Sequence, residues 1–152
     1  MTPILQAQSL KKHFPVHGGW FSRITGQVKA VDDVSFSVAT GEILGLVGES
    51  GCGKTTVGRM TIRLITPTEG RVLFEGTDIS LLAKKEMTQL RPRMQIIFQD
   101  PYGSLNPRFT VEQIIGEAML IHGFSSRKNL QENIGAIMDK VGLSPRYIKK
   151  YP

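Results

Sequence analysis

Apolar and polar residues follow recognisable periods in the first hundred positions of the chain. Residues 34–38, VSFSV, alternate strictly, which predicts a half-buried strand with its three apolar side chains facing inward. Residues 43–47 and 94–98 are instead continuous apolar runs, which are typical of buried strands in a parallel sheet. Residues 71–74 predict one more strand. The pattern therefore predicts a β-rich region in this part of the chain.

Helical spacing appears after the apolar runs at 43–47 and 94–98. Apolar residues recur every three or four positions over residues 54–65, which predicts a helix. Thr110 and Gln113 have the spacing of a capping box and predict the start of a second helix. A third helix is expected to be capped by Ser125 or Ser126, and Ser144-Pro145 is typical of a further helix start. The expected inner face of the third helix comprises Leu130, Ile134, Ile137, Met138 and Val141.

The remaining segments are less regular. Residues 15–29 show no clear period and predict a surface loop, whose Trp20 and Phe21 either contact a partner or pack back onto the protein. Residues 78–90 predict a loop with a short helix. A chain of 152 residues accommodates one domain or two small lobes. We therefore expect a β-rich α/β lobe over residues 1–100 and the start of a helical lobe over residues 101–152.

Composition and charge exclude several classes of protein. With 40% hydrophobic and 21% charged residues, the chain is neither disordered nor a coiled coil. It has no apolar run of about 18 residues that could span a membrane and no secretory signal pattern. Its lone cysteine, Cys52, fits a reducing cytoplasm. The net charge of +6 is scattered and has no groove-reading motif beside it, so we expect no nucleic-acid partner.

Residues 48–55, GESGCGKT, match the phosphate-loop pattern G-x-x-x-x-G-K-[ST]. Its glycines allow the backbone to point several N–H groups at one centre, and the following helix adds its positive N-terminal end. Lys54 can reach the β- and γ-phosphates of a nucleotide, and the Thr55 hydroxyl can ligate Mg²⁺. The alternative without a functional role is a structural glycine-rich turn with an unrelated lysine.

Other reactive side chains carry weaker signals. Cys52 lies inside the loop, but no Cys-His pattern supplies a base that would make its thiol a nucleophile. We expect its backbone N–H to matter more than its side chain. His13, His17 and His122 lack the spacing of metal ligands.

Beyond the phosphate loop, the sequence resembles the ATP-binding subunits of ABC transporters. GESGCGKTT at residues 48–56 is similar to that family's Walker A motif, and IIFQDP at residues 96–101 is similar to its Q-loop. Residues 34–42 resemble the strand and turn that precede the loop. FQDPYGSLNPR at residues 98–108 resembles the importer branch for oligopeptides, dipeptides, glutathione and nickel.

The resemblance implies a P-loop NTPase fold of the ABC ATPase type, with an N-terminal β subdomain, the start of a helical subdomain and an incomplete sheet. It implies ATP and Mg²⁺ as cofactors. Phe14 would stack on adenine, Gln99 would contact Mg²⁺ or the attacking water, and Lys54 and Gln99 would serve catalysis. The implied metal contacts are Thr55 and Gln99. The implied nucleotide-binding residues are Phe14, Gly48, Glu49, Ser50, Gly51, Cys52, Gly53, Lys54, Thr55 and Thr56.

The resemblance also implies partners. The helices from residue 110 onward would dock on transmembrane permease subunits at the inner face of the cell membrane. A second ATP-binding subunit would form a head-to-tail dimer around the nucleotide, and an extracytoplasmic substrate-binding protein would act indirectly. The sequence does not distinguish a peptide from glutathione or nickel as the transported substrate.

One departure limits the activity expected of the 152 residues. In the family, a Tyr-Pro like Tyr151-Pro152 is followed by a signature motif, a Walker B strand with its Mg²⁺-binding aspartate, a catalytic glutamate and a switch histidine. None of these occurs here. We therefore expect no turnover by the chain alone. Two alternatives stay open: a non-catalytic nucleotide-binding module and a P-loop protein of nucleic-acid metabolism.

Overall fold

The computed structural model describes residues 3–18 and 23–152. The predicted contacts of Trp20 and Phe21 therefore lie outside the described residues. The chain forms two compact units, Met1–Met87 and Thr88–Pro152. The division into an α/β lobe over residues 1–100 and a helical lobe over residues 101–152 stays a prediction. No helix within the described ranges is long and apolar enough to cross a membrane.

An open antiparallel sheet forms the first unit. Its strands are β1 (Leu5–Gly18), β2 (Arg23–Val38), β3 (Glu69–Phe74) and β4 (Thr77–Asp78), in the order β2-β1-β3-β4. The predicted alternation in residues 34–38 is confirmed, because the apolar side chains there are half-buried and the serines are exposed. The strand predicted at 71–74 is confirmed within β3.

The loop predicted for residues 15–29 is wrong for residues 15–18 and 23–29, which are strands; residues 19–22 lie outside the described part of the chain. Residues 15–18 end β1 and residues 23–29 begin β2, and the two strands stay paired as far as Gly18 and Arg23, with a register shift between Val16 and His17. This part of the pairing rests on backbone hydrogen bonds and on the Thr25 hydroxyl, which donates to the Val16 carbonyl oxygen at 3.3 Å, so no alternation of apolar side chains marks it in the sequence. Most residues here are exposed.

Helix α1 (Lys54–Thr61) packs against β1 and β2 and buries Val57 and Met60. It ends four residues before the predicted boundary at 65. Arg63 has a φ of 52°, which is outside the helical region. The core of this unit also contains buried side chains from the strands and from the segments that follow β3, namely Ala7, Leu10, Val31, Val72, Phe74, Ile79 and Met87.

The two predicted parallel strands are wrong. Neither 43–47 nor 94–98 forms a strand, and Ile43, Val47 and Ile97 are 96%, 89% and 89% exposed. A parallel strand requires hydrogen-bonded neighbours, and no parallel ladder exists among the described residues. Leu44 and Leu46 nevertheless line a cavity of about 240 Å³ with residues of β1, β2 and α1. Only one side of the 43–47 segment is therefore covered.

Two packed helices dominate the second unit, α3 (Val111–Ile121) and α4 (Leu130–Lys140). A shorter helix, α2 (Lys84–Leu90), precedes them and confirms the short helix predicted within 78–90. Three 3-10 turns accompany these helices, Arg91–Arg93, Tyr102–Ser104 and Pro145–Tyr147. The core between α3 and α4 contains Met119, Ile134 and Met138, with Val111, Ile115, Leu130 and Ile148 packed around it.

The helix boundaries show which local signals were informative. The Thr110–Gln113 capping box is present at α3, as predicted. Helix α4 has Asn129 at its N-cap, so capping by Ser125 or Ser126 is wrong. Val141 follows the last residue of α4 and is 73% exposed, so it is not part of the inner face. Ser144-Pro145 begins a 3-10 turn and not an α-helix.

Candidate functional site

The phosphate loop lies between the 43–47 segment and α1. Gly51 and Gly53 have φ angles of 82° and 96°, in the left-handed region that favours glycine. Gly53 is also the N-cap of α1, and a Cβ there would lie 2.3 Å from the Ala30 carbonyl oxygen. This close approach requires glycine and holds the end of the loop against β2.

Lys54 is positioned by the loop itself. Its Nζ donates to the Gly48 carbonyl oxygen at 2.8 Å and to the Glu49 carbonyl oxygen. Its third contact is the Cys52 Sγ at 3.6 Å, and a thiol is a weak acceptor. A phosphate oxygen could replace the thiol without breaking either bond to a carbonyl. The ammonium is thus held in place with one donor suited to an anion.

The first turn of α1 adds to this positive surface. Gly53 has no side chain with which to cap the helix, and the first turn contains no acidic residue. The first N–H groups of a helix have no acceptor within it, so this end carries the partial positive charge of the helix dipole. Thr55 is exposed and Thr56 is half-buried in the same turn. The arrangement suits an anion that accepts several hydrogen bonds.

Phe14 lies on β1, opposite Val28 of β2, and is 38% exposed. The Lys12 Nζ lies 5.2 Å from the centre of the Phe14 ring and also donates to the Thr66 carbonyl oxygen at 2.8 Å. The ring is therefore accessible, but an ammonium already contacts its π-face. Its predicted role as an adenine platform stays a prediction.

Gln99 belongs to the second unit and is exposed. The residue after it is fixed by local hydrogen bonds: the Asp100 carboxylate accepts the Gly103 N–H at 3.1 Å, and the Ser104 hydroxyl donates to the Asp100 carbonyl at 2.9 Å. Aspartate before proline is a turn signal in the sequence. The structure provides a defined backbone next to Gln99.

Histidine and cysteine show no sign of a metal centre. Across residues 3–18 and 23–152, no group of three or more His, Cys, Asp and Glu side chains could hold a metal ion. The Nε2 atom of His13 is buried without a hydrogen-bond partner among the described residues. Cys52 is a free, exposed thiol.

A protein-family profile matches most of the chain. The sequence profile described as "ABC transporter" matches residues 31–151. The chain belongs to the ABC transporter family. This confirms the resemblance drawn from the Walker A and Q-loop sequences, and membership of the family implies nucleotide binding.

The ABC relatives include transport proteins for peptides. The chain is 52% identical to the probable peptide ABC transporter ATP-binding protein y4tS of Sinorhizobium fredii, over 98% of this chain and 42% of that protein. It is 47% identical to the oligopeptide transport ATP-binding protein AppF of Bacillus subtilis, over 98% of this chain and 46% of that protein. The chain thus spans less than half the length of these curated relatives.

Solved ABC structures confirm the fold class. The dimeric ATP-binding cassette MJ0796 bound to ADP and Pi has a TM-score of 0.75 and 21% identity, over 97% of this chain and 61% of that chain. The cbiO1 protein of Clostridium perfringens, part of the ABC transporter complex cbiONQ, has a TM-score of 0.67 and 20% identity, over 99% of this chain and 55% of that chain. At these identities the likeness establishes the fold alone.

Proposed function

We propose that this chain is the N-terminal, nucleotide-binding part of an ABC importer ATP-binding subunit. In the intact protein, MgATP binding and hydrolysis would drive peptide uptake. The observation that carries the proposal is the phosphate loop, in which Lys54 is held by two carbonyls beside the uncapped first turn of α1. The names of the peptide-transport relatives favour peptide as the substrate class.

Each proposed role follows from the chemistry of one residue. Backbone N–H groups of the loop and of the first turn of α1 would bind the phosphates, and Lys54 would neutralise charge on the β- and γ-phosphates. The Thr55 hydroxyl would offer an oxygen ligand to Mg²⁺, and the Gln99 amide oxygen has the same chemistry; bound Mg²⁺ would supply charge compensation at the phosphates. Gln99 can also orient the attacking water, because its amide both donates and accepts. Phe14 offers its ring to adenine.

The helical unit supplies a surface for the proposed transmembrane permease subunits. A groove of about 410 Å³ runs along α3 and is lined by Phe109, Glu112, Gln113, Gly116, Glu117, Leu120 and Leu130. Its mostly apolar lining suits an amphipathic segment. The other proposed partners are a second ATP-binding subunit and, indirectly, an extracytoplasmic substrate-binding protein. In this proposed assembly the protein would lie on the inner face of the cell membrane.

Hydrolysis itself requires more than the chain contains. Lys54, Thr55 and Gln99 provide charge compensation and metal contacts, but the sequence contains no Walker B carboxylates to complete the metal shell and supply a base. We therefore propose that the 152 residues bind nucleotide without turnover, with residues 1–100 as the nucleotide-binding lobe. A non-catalytic nucleotide-binding module has the same site and is the second candidate. Steady-state ATPase activity that Lys54→Ala abolishes would contradict the absence of turnover.

Titration calorimetry with MgATP tests the site. We expect Lys54→Ala to weaken binding by at least about tenfold, since it removes a charge-assisted contact to the phosphates. The matched control is Lys85→Ala, which removes an exposed lysine from α2. Equal affinities for both variants and the native chain would contradict the proposal.

A further inference from the structure

The first turn of α3 is bonded from two separate segments of the chain. The segment before it, residues 99–109, ends at the capping box: the Gln113 N–H donates to the Thr110 hydroxyl at 3.3 Å, and the Thr110 N–H donates to the Gln113 side chain at 2.8 Å. These bonds fix the direction in which the 99–109 segment enters the helix.

The segment after α4, residues 144–150, binds the same turn. The Val111 N–H donates to the Lys150 carbonyl and the Glu112 N–H donates to the Ile148 carbonyl, both at 2.9 Å. All the backbone N–H groups from Thr110 to Gln113 thereby have acceptors. The 144–150 segment thus supplies acceptors for the two N–H groups of this helix end that the capping box does not bond.

Glu112 adds a side-chain connection to this contact. Its carboxylate forms an ion pair with Lys149 and accepts a hydrogen bond from the Gln131 amide of α4 at 2.9 Å. The carboxylate side chain is 19% exposed, whereas Lys149 is 66% exposed. Glu112 thus connects α3, α4 and the 144–150 segment.

We infer that this turn is a mechanical junction, in which Glu112 positions the 144–150 segment so that displacement of that segment is transmitted to residues 99–109, and the reverse. The 99–109 segment is itself well suited to transmission. The Asp100 carboxylate fixes the Gly103 N–H, and the Asn106 side chain accepts from the Arg108 N–H at 3.0 Å. Two short turns fixed by these hydrogen bonds therefore lie between Gln99 and the capping box.

Amide hydrogen exchange on the whole 152-residue chain tests the junction. In Glu112→Gln we expect roughly two- to fivefold faster exchange, the range for a lost exposed or half-exposed ion pair. The acceleration should appear in both segments, at the amides of Ile148 and Lys150 and at those of Arg108 and Phe109. Exchange in the interior of α4, at Met138, should stay unchanged.

Matched variants separate the junction from general effects on the helix. Glu117→Gln removes an exposed carboxylate from the same helix, and we expect no change. Lys149→Met should reproduce Glu112→Gln without altering the charge in the first turn of α3, whereas Lys149→Arg should preserve the native rates.

Three outcomes would overturn the inference. Acceleration confined to residues 144–150 would show that nothing is transmitted, and equal acceleration in α4 would show a general loss of helix stability. Native rates in Glu112→Gln would show that the carboxylate positions nothing. The measurement needs no nucleotide, so its failure would leave the proposed function intact.

Discussion

The first turns of α1 and α3 solve the same physical problem in opposite ways. Both are ends of short helices, where backbone N–H groups lack partners within the helix. At α3 every such group from Thr110 to Gln113 is bonded by the chain, and Glu112 adds a negative charge. At α1 the cap is Gly53, and the turn contains no acidic residue. A helix end closed by its own chain stabilises the fold, and one left open can bind an external anion.

The largest effect is expected from adding a side chain at Gly53, the N-cap of α1. Gly53→Ala places a Cβ 2.3 Å from the Ala30 carbonyl oxygen, at a φ of 96°. We expect a loss of about 3 kcal/mol or more in the free energy of unfolding, from backbone strain and displacement of the loop. Urea unfolding measures the loss.

The control for this change lies one turn further along the helix. A Cβ at Gly58 meets nothing within 4 Å, so Gly58→Ala should raise stability by up to about 1 kcal/mol. Similar stability in the two variants would mean that the contact between Gly53 and Ala30 does not constrain the loop.

An intermediate effect is expected from giving α1 the charge that α3 has. Thr56→Glu places a carboxylate in the first turn, which should stabilise the helix by about 0.3–1 kcal/mol. The same charge repels phosphate, so the affinity for MgADP should fall roughly tenfold. Calorimetry and thermal unfolding measure the two changes, with Thr56→Gln as the neutral control. If the affinity for MgADP is unchanged while the stability rises, the first turn of α1 does not contribute to nucleotide binding.

The smallest effect is expected at the first turn of α3, at low pH. The Lys149 ammonium and the Gln131 amide hold the pKa of Glu112 below its usual value of 4.5. The resulting stabilisation is present above that value and is lost as the pH falls through the lower pKa of the folded state. The stability difference between the native chain and Glu112→Gln should therefore shrink from pH 6 to pH 3. Urea titration followed at α4 amide signals measures it, and a constant difference would rule out titration of Glu112.

Local signals in the sequence predicted local structure well. The phosphate loop and the Thr110–Gln113 box are encoded within a few residues, and the box is present as predicted. The 43–47 and 94–98 runs were predicted as strands because apolar runs indicate burial, but strand pairing depends on distant neighbours. The strand pairing of residues 15–18 with 23–29 was missed for the converse reason, since it shows no alternating apolar pattern.

Contacts between distant residues could not have been predicted. The Glu112–Lys149 pair joins residues 37 positions apart, and nothing in either neighbourhood signals the other. The approach of Gly53 to Ala30 likewise depends on where α1 packs on the sheet. Sequence reasoning therefore predicted the kind of site, and the structure added the contacts that hold it in place.

The uncovered side of the 43–47 segment has a consequence for handling the protein at high concentration. Ile43 and Val47 are exposed in a stretch of β-forming residues without charge between Glu42 and Glu49, and Ile97 is exposed in another. Such stretches act as templates for strand pairing between molecules. Apolar association of this kind weakens on cooling and is strengthened by salts such as sulfate, so lower temperature, dilution and the absence of such salts should keep preparations clear for longer.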